Sequence, residues 1–473
     1  MDVIKLVKAL PIDLLNVVSN YCPMVFFLLS ESEWVKIDWF KLIRFNFGLI
    51  YSKDECTNEE IMRVYLECCE KRKSIFMSSD RSCLLRNGVL LSCGINNFGQ
   101  LGMGDLVDRH KFEKIQLSKK IVEVKCLGNY TIVRLIDGTL MSCGHAMYGA
   151  LGLGHLRDRN KFCKVGGIKG NVAELICKEG HTILRFEDGT LMSVGYNSYG
   201  GLGLGDRGEI RYTFNEIKGL PRGVEKVICS EMHTIIILAD GILMSCGLNS
   251  AGQLGVGDNR NRDRFSEIKG VGGNIAEVSC GAEFSMIRLA DGGLMSCGIN
   301  VHGQLGVGDN VERNVFSKIN DIGGNVVEMI CSSHHTIIRL NDGTLMGCGY
   351  NFDNQLGLGD CWSRVVFCKI PFIPKNIVEV TCSNSHTFIR LTDGTIMSCG
   401  HNGNGELGLG DNFNRSRFWK ITGIKNVSEV MAASGQTIIK LMDGEIMTCG
   451  KNNYGQLGLG DTIPRNVFQI VDL

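Results

Sequence analysis

The chain repeats itself with a period of about 51 residues. Successive copies of a marker dipeptide are separated by 50 to 52 residues over most of the 473-residue chain. A period this constant is the signature of a repeat architecture, in which small units build one body together. The marker is Cys-Gly at Cys93, Cys143, Cys246, Cys297, Cys348, Cys399 and Cys449, and the eighth copy reads Val194-Gly195.

Each unit contains four short strand patterns. In residues 377–421, the segments IVEVTC, HTFIRL, TIMSCG and RFWKI alternate or are rich in β-branched residues, as strands are. Asp393-Gly394 predicts a tight hairpin turn, and HNGNGELGLGD predicts a Gly-rich loop between the third and fourth strands. Four antiparallel strands repeated radially are the blades of a propeller, so we predict an all-β propeller over residues 74–473.

Acidic and basic residues recur at positions that we expect to face each other across the hairpin formed by the first and second strands of each unit. Opposite charges on paired strands stabilise a sheet, so we interpret these residues as blade scaffolding. Unit four is expected to keep Glu225 opposite Ile237. The pairs are Glu123/Arg134, Glu174/Arg185, Glu277/Arg288, Glu328/Arg339, Glu379/Arg390 and Glu429/Lys440.

Three other recurring patterns imitate functional sites. A zinc site needs about four converging ligands, whereas each Cys-x-x-x-His pair belongs to its own blade, so we interpret these histidines as packing against turns. The LGLGD loops lack the Lys-Ser/Thr and the helix of a phosphate-binding loop. The Arg of Asp-x-x-x-Arg is expected to bind the preceding Asp or the loop carbonyls. We therefore predict no catalytic residue, metal or cofactor. The Cys/His pairs are Cys177/His181, Cys229/His233, Cys331/His335 and Cys382/His386.

The run VTCSNSHTFIRLTDGTIMSCGHNGNGELGLGD resembles the regulator of chromosome condensation repeat. That resemblance implies a β-propeller, and the family usually has seven blades. Because eight units are present, we expect eight blades, with seven blades and one displaced unit as the alternative. We expect the last strand, NVFQIVDL, to close the ring by pairing with SIFMSS of unit one.

Residues 1–73 lack the repeat, and their sequence pattern predicts a small α-helical module. Pro11 suits a first helical turn, and Thr57 to Glu60 fits a capping box that opens a further helix. The stretch LPIDLLNVVSNYCP resembles the start of an F-box, which implies binding to an adaptor of cullin-type ubiquitin ligases. The alternative is a helical cap on the propeller. The candidate adaptor-binding residues are Leu10, Pro11, Ile12, Leu14, Leu15 and Val18.

Composition limits the function further. Lys and Arg number 50, as do Asp and Glu, and residues 1–73 hold ten basic and eleven acidic residues, which argues against nucleic-acid binding. The longest apolar stretch, near residues 24–29, is too short to span a bilayer. Most of the cysteines follow the repeat, which favours a reducing compartment, the cytoplasm or nucleus. The layout of an F-box-like segment before repeats resembles proteins of large DNA viruses, which implies that this compartment belongs to a host cell.

These observations predict a non-enzymatic scaffold that binds proteins, such as the substrate receptor of a ubiquitin ligase. The family resemblance adds two alternatives, a guanine-nucleotide exchange factor for a small GTPase and a chromatin-associated protein. The even spacing of the units leaves no room for a long inserted wedge, which disfavours exchange. The zero net charge disfavours chromatin binding.

Overall fold

The repeat folds into eight four-stranded antiparallel sheets, each made of four consecutive strands. The computed structural model describes Trp39, residues 56–62 and residues 73–473 except 179, 209 and 222. The predicted eight-bladed propeller is confirmed, and the seven-bladed alternative is wrong. Within the described residues, no helix is long and apolar enough to cross a membrane.

The first four blades cover the first half of the repeat. Their strands are β1 (Ile75–Ser78), β2 (Arg81–Arg86), β3 (Val89–Gly94) and β4 (Arg109–Ile115) in blade 1; β5 (Ile121–Leu127), β6 (Tyr130–Leu135), β7 (Leu140–Gly144) and β8 (Arg159–Lys164) in blade 2; β9 (Val172–Lys178), β10 (His181–Phe186), β11 (Leu191–Gly195) and β12 (Arg211–Glu216) in blade 3; and β13 (Val224–Cys229), β14 (His233–Leu238), β15 (Leu243–Gly247) and β16 (Arg262–Glu267) in blade 4.

The other four blades follow the same order. Their strands are β17 (Ile275–Cys280), β18 (Phe284–Leu289), β19 (Leu294–Gly298) and β20 (Arg313–Ile319) in blade 5; β21 (Val326–Cys331), β22 (His335–Leu340), β23 (Leu345–Gly349) and β24 (Arg364–Lys369) in blade 6; β25 (Ile377–Cys382), β26 (His386–Leu391), β27 (Ile396–Gly400) and β28 (Arg415–Lys420) in blade 7; and β29 (Val427–Ala433), β30 (Gln436–Leu441), β31 (Ile446–Gly450) and β32 (Arg465–Ile470) in blade 8.

The first strands form the inner ring of the propeller. Each contacts the first strand of both neighbouring blades, including β1 with β29, so the eight strands close a circle. The fourth strand of each sheet then lies at the outer edge. Eight clusters of buried apolar side chains lie one at each interface between neighbouring blades. The core is therefore divided among the blade interfaces.

Charged residues pair across the hairpin of the first and second strands, as the sequence predicts. Five Glu–Arg pairs face each other in register with N–O distances of 2.7 to 3.2 Å, and Glu429 faces Lys440. Each such pair is worth about 0.2–1 kcal/mol. The expectation for unit four is wrong. The same β-bulge occurs in the neighbouring blades, but Glu225 falls on the bulge itself, so Lys226 faces Ile237.

The ring does not close by strand exchange, so that expectation is also wrong. Strand β32 pairs with β31, and β1 pairs with β2, because each unit supplies all four strands of its own sheet. Closure uses contacts between complete blades. The Glu429 carboxylate accepts a hydrogen bond of 3.0 Å from the Ser74 amide. Lys451 forms an ion pair of 2.8 Å with Asp80.

Each Gly-rich loop also reaches the next blade. The second glycine of LGxG donates its N–H to a carbonyl in the neighbouring fourth strand at 2.7 to 2.9 Å, at all eight interfaces. The bond from Gly460 to His110 joins blade 8 to blade 1 at 2.8 Å in the same way. The first glycine of LGxG lies against the Phe of that strand, as Gly255 does against Phe316. The recurring Phe therefore packs between blades.

The described part of the N-terminal segment contains the predicted capping box. The Thr57 amide donates to the Glu60 carboxylate at 2.7 Å, and the Glu60 amide donates to the Thr57 hydroxyl at 3.2 Å. Residues 58–62 are helical. The rest of the predicted helical module lies outside the described residues.

Candidate protein-binding face

One end of the propeller, here called the loop face, carries the variable residues of the repeat. It consists of the turns between first and second strands and the Gly-rich loops between third and fourth strands. Backbone hydrogen bonds join the two kinds of loop within each blade, for example from Tyr350 to His334 and from His401 to Ser385, both at 2.9 Å. The Asp-Gly turns lie at the opposite end.

Buried polar side chains fix the shape of the Gly-rich loops. In blade 7, the Asn402 amide donates to the Asp411 carbonyl at 2.8 Å and accepts from the Leu407 amide at 2.9 Å. Arg415 binds the Asp411 carboxylate at 2.5 Å and the Phe413 carbonyl at 2.6 Å. This confirms the interpretation of the Asp-x-x-x-Arg pattern. The same side chains recur in blades 1, 4, 5 and 8, so loops of one shape present different apex residues.

The recurring histidines belong to the scaffold. His181, His233, His335 and His386 are buried at the start of the second strands, each opposite the Gly of its third strand. His233 contacts the hydroxyls of Ser230 at 2.6 Å and of Ser285, in blade 5, at 2.9 Å. Among the described residues, no group of three or more potential ligands could hold a metal ion.

Burial keeps these histidines neutral near pH 7. Desolvation lowers the pKa of His181 and His335 to about 4, and that of His233 and His386 to about 3. Nearby positive groups, such as Lys178 beside His181, lower the pKa further. The imidazoles therefore pack as uncharged polar rings.

We expect the free energy of unfolding to fall as the pH falls from about 6.5, the pKa of histidine in an unfolded chain. Below that pH, the unfolded chain binds protons that the buried histidines do not bind until about pH 3 to 4. His386→Gln, which introduces the residue that blade 8 has as Gln436, should lose about 3 kcal/mol less between pH 7 and pH 4 than the wild type does, because the pKa of His386 rises from about 3 to about 6.5 on unfolding. Chemical unfolding across this pH range measures both slopes, and equal slopes would contradict the assignment.

Aromatic side chains gather in two clusters on the loop face. In the first, which spans blades 1 to 3, the rings of Phe98 and His145 lie 4.1 Å apart, and those of Tyr148 and Tyr196 lie 5.5 Å apart. Tyr199 lies 6.0 Å from Tyr196. Aromatic residues on rigid loops supply large contact areas at low entropic cost.

The second aromatic cluster joins blades 5 and 6. The His302 ring lies 5.0 Å from Tyr350, 5.9 Å from His334 and 6.4 Å from Phe352, and Tyr350 lies 5.1 Å from Phe352. Burial, with a smaller effect of His334, lowers the pKa of His302. Phe352 is 55 % exposed, so the cluster offers an apolar surface to a partner.

A polar pocket lies beside the second cluster and is lined by residues of blades 6, 7 and 8. It has a volume of about 430 Å³, and Asp353, Ser385 and Lys451 are among the residues that line it. Glu406 is fully buried at the base of this pocket, and its carboxylate lies 2.5 Å from His401 Nδ1. The equivalent position is Gln in blades 1, 4, 5, 6 and 8. The loop face thus combines apolar patches with charged groups, as protein interfaces do.

The candidate adaptor-binding residues lie outside the described residues. They are Leu10, Pro11, Ile12, Leu14, Leu15 and Val18. The aromatic clusters are functional candidates that the sequence interpretation missed. Their signal was present, because all of them except His334 lie within four residues after the marker Gly, at positions that differ from unit to unit.

Comparison with known proteins agrees with this architecture. A model of the regulator of chromosome condensation (RCC1) repeat matches residues 240–288, 342–389 and 443–469, and a second model of the same repeat matches 275–304 and 377–406. The ultraviolet-B receptor UVR8 of Arabidopsis thaliana is 26 % identical over 357 residues, covering 73 % of this chain and 81 % of the receptor.

Two further comparisons concern proteins with named activities or partners. The probable E3 ubiquitin-protein ligase HERC6 of Homo sapiens is 29 % identical over 245 residues, which span 49 % of this chain and 23 % of HERC6. The crystal structure of Prp20p from Saccharomyces cerevisiae, described with its binding to Gsp1p and histones, aligns with a TM-score of 0.59. That alignment has 18 % identity and covers 77 % of this chain and 92 % of Prp20p.

The structural likeness to Prp20p shows the fold, and the repeat models and UVR8 show the type of repeat. Such a propeller is a scaffold for protein interactions. The chain is therefore a β-propeller that contains repeats of the regulator of chromosome condensation type.

Proposed function

We propose that the protein is the substrate receptor of a cullin-type ubiquitin ligase and performs no chemical step itself. Residues 1–73 would bind the adaptor, and the loop face would bind the substrate. The observation that supports the proposal is that each repeat uses one set of side chains for its scaffold and exposes another set at its loop apices. Its recurring Asp, Arg, Asn and His side chains form hydrogen bonds within the scaffold, whereas the residues at the loop apices differ between blades and include the aromatic clusters.

Two independent features favour a ligase over other scaffolds. The non-repeating segment contains LPIDLL, which resembles the start of an F-box. HERC6, named as a probable ubiquitin ligase, shares the repeat with this chain, although the chain spans only 23 % of it. The proposal places the protein in the cytoplasm or nucleus.

The experiment is quantitative affinity purification of the full chain and two groups of variants. Leu10→Ala/Pro11→Ala/Leu14→Ala should abolish recovery of a cullin adaptor, whereas Lys5→Ala/Lys8→Ala, in the same segment, should retain it. Tyr350→Ala/Phe352→Ala should keep the adaptor and lose the substrate at least about tenfold, because central aromatic residues carry most binding energy. Tyr454→Ala, an apex residue outside both clusters, is the matched control.

Failure to recover an adaptor with the wild-type chain would reject the ligase role. Accelerated release of labelled GDP from a small GTPase would replace it with nucleotide exchange, the function that the family resemblance offers as the alternative. Loss of every interaction in Tyr454→Ala would show that the loop-face variants act through misfolding.

A further inference from the structure

The outer surface of blades 5 to 8, here called the apolar wall, exposes large apolar side chains at two repeated positions. The first position is two residues after the loop Asp, where Trp362 is 67 % exposed and Phe413 is 74 % exposed. The second position precedes the buried Phe of the fourth strand. The wall residues are Val311, Trp362, Phe413 and Ile463 at the first position and Val315, Val366 and Val467 at the second.

The fold does not require apolar residues at these positions, because most of the other blades do without them. At the first position, blades 2 and 4 have Arg157 and Arg260 and blade 3 has Gly208, whereas blade 1, which adjoins blade 8, has the exposed Val107. At the second position, blades 1 to 4 have Lys111, Lys161, Thr213 and Arg264. The same backbone therefore accommodates polar side chains at both positions. Large apolar side chains that are exposed at equivalent positions of four neighbouring blades indicate an interaction site.

Hydrogen bonds fix the backbone that carries the first-position side chains. The Trp362 amide donates to the Asp360 carboxylate at 3.0 Å, and its carbonyl accepts from Arg364 at 2.5 Å. The amides of Phe413 and Ile463 donate to the loop Asp in the same way, at 3.0 and 2.9 Å. A partner that docks here therefore loses little conformational entropy of the loops, which favours binding.

The charges on the apolar wall indicate which partner it fits. The loop carboxylates are neutralised by their arginines, at 2.5 to 2.7 Å. The remaining exposed charges on the loops and fourth strands of these blades are mostly positive, with Glu312 as the acidic exception. Within the described residues, none of the basic groups forms an ion pair with a carboxylate. They are Lys318, Lys369, Arg417 and Lys420.

We propose that the apolar wall is a docking surface for an acidic segment of a partner protein that carries large apolar side chains. Such a segment would bury the wall residues and complement the lysines. A second copy of this chain would place two positive walls against each other, which disfavours self-association. A flat bilayer would touch few of the four blades, because their outer edges follow an arc of the ring. The inference goes beyond the proposed function and needs neither residues 1–73 nor the loop-face clusters.

The test uses fluorescence anisotropy of the full chain with labelled synthetic peptides in which Glu alternates with Leu and Trp. Two matched peptides replace Glu with Lys, or Leu and Trp with Ser. We expect only the acidic apolar peptide to bind. Trp362→Ser/Phe413→Ser and Lys369→Glu/Lys420→Glu should each weaken it about tenfold or more. Ile242→Ser/Met442→Ser, which removes exposed apolar residues beside the Asp-Gly turns at the opposite end, should leave it unchanged.

Three outcomes would overturn the proposal. The first is equal affinity for the acidic and basic peptides, or no peptide binding at all. The second is binding to phosphatidylserine vesicles that the wall variants abolish while no peptide binds, which would assign the wall to membranes. The third is a dimer in analytical ultracentrifugation that Trp362→Ser/Phe413→Ser dissociates, which would assign it to a second copy. A positive peptide result with no recovery of a cullin adaptor would uphold this proposal and reject the ligase role alone.

Discussion

Replacing Arg81 with alanine is expected to lower the free energy of unfolding by about 4 kcal/mol, from the lost side-chain packing and the acceptors left without donors. Arg81 is fully buried and occupies, in blade 1, the position that histidine has in other blades, opposite Gly94. Its guanidinium donates at 2.8 Å to both the Gln100 carbonyl and the Thr131 hydroxyl.

The same guanidinium also crosses into blade 2. It donates to the carbonyls of Leu127, at 3.2 Å, and Tyr130. No carboxylate of the described residues forms an ion pair with Arg81, so carbonyl and hydroxyl dipoles alone compensate its burial. Truncation would therefore leave several buried acceptors unsatisfied at the interface of blades 1 and 2, which is costly.

Guanidinium unfolding of Arg81→Ala measures this cost, with Lys114→Ala as the control. Lys114 lies in the same blade and is exposed, so its replacement removes the same charge and should change stability by less than about 0.5 kcal/mol. Equal unfolding midpoints for the two variants would show that Arg81 does not join the blades.

Arg81 illustrates what the sequence could and could not predict. The period, the Asp-Gly turns and the Glu–Arg pairs depend on residues within one unit, and these predictions are confirmed. The closure of the ring depends on contacts between residues about 350 positions apart, such as Gly460 with His110, where no local pattern applies. The prediction failed there because strand exchange and the joining of complete blades are equally compatible with the period.

The aromatic clusters of the loop face were not predicted from the sequence for a related reason. Its aromatic clusters combine residues from different units, as His302 of blade 5 meets Tyr350 of blade 6. Each residue alone looks like variation within a repeat. Only the backbone, which places equivalent loops of neighbouring blades side by side, shows that the variation accumulates in two places.

Replacing Gly458 with alanine is expected to destabilise the closing joint between blades 8 and 1 by about 3 kcal/mol, from backbone strain and overpacking together. Gly458 has φ +73°, and a Cβ there would overlap the Phe112 ring of blade 1. Because the ring closes by packing and not by strand exchange, this contact is part of what holds the two ends of the repeat array together.

Alanine replacements of two further glycines distinguish backbone strain from overpacking in the same unfolding measurement. Gly423 has φ +81° with open space around its Cβ position, so Gly423→Ala isolates the backbone strain, about 1 kcal/mol. Gly255 has φ +67° and would place a Cβ 2.5 Å from the Phe316 ring, the same clash at the joint of blades 4 and 5. If the closing joint is as tight as the internal ones, Gly458→Ala and Gly255→Ala should cost the same. A Gly458→Ala variant no less stable than Gly423→Ala would instead mean that the ring is open between its first and last blades, because an open joint leaves room for the added methyl group.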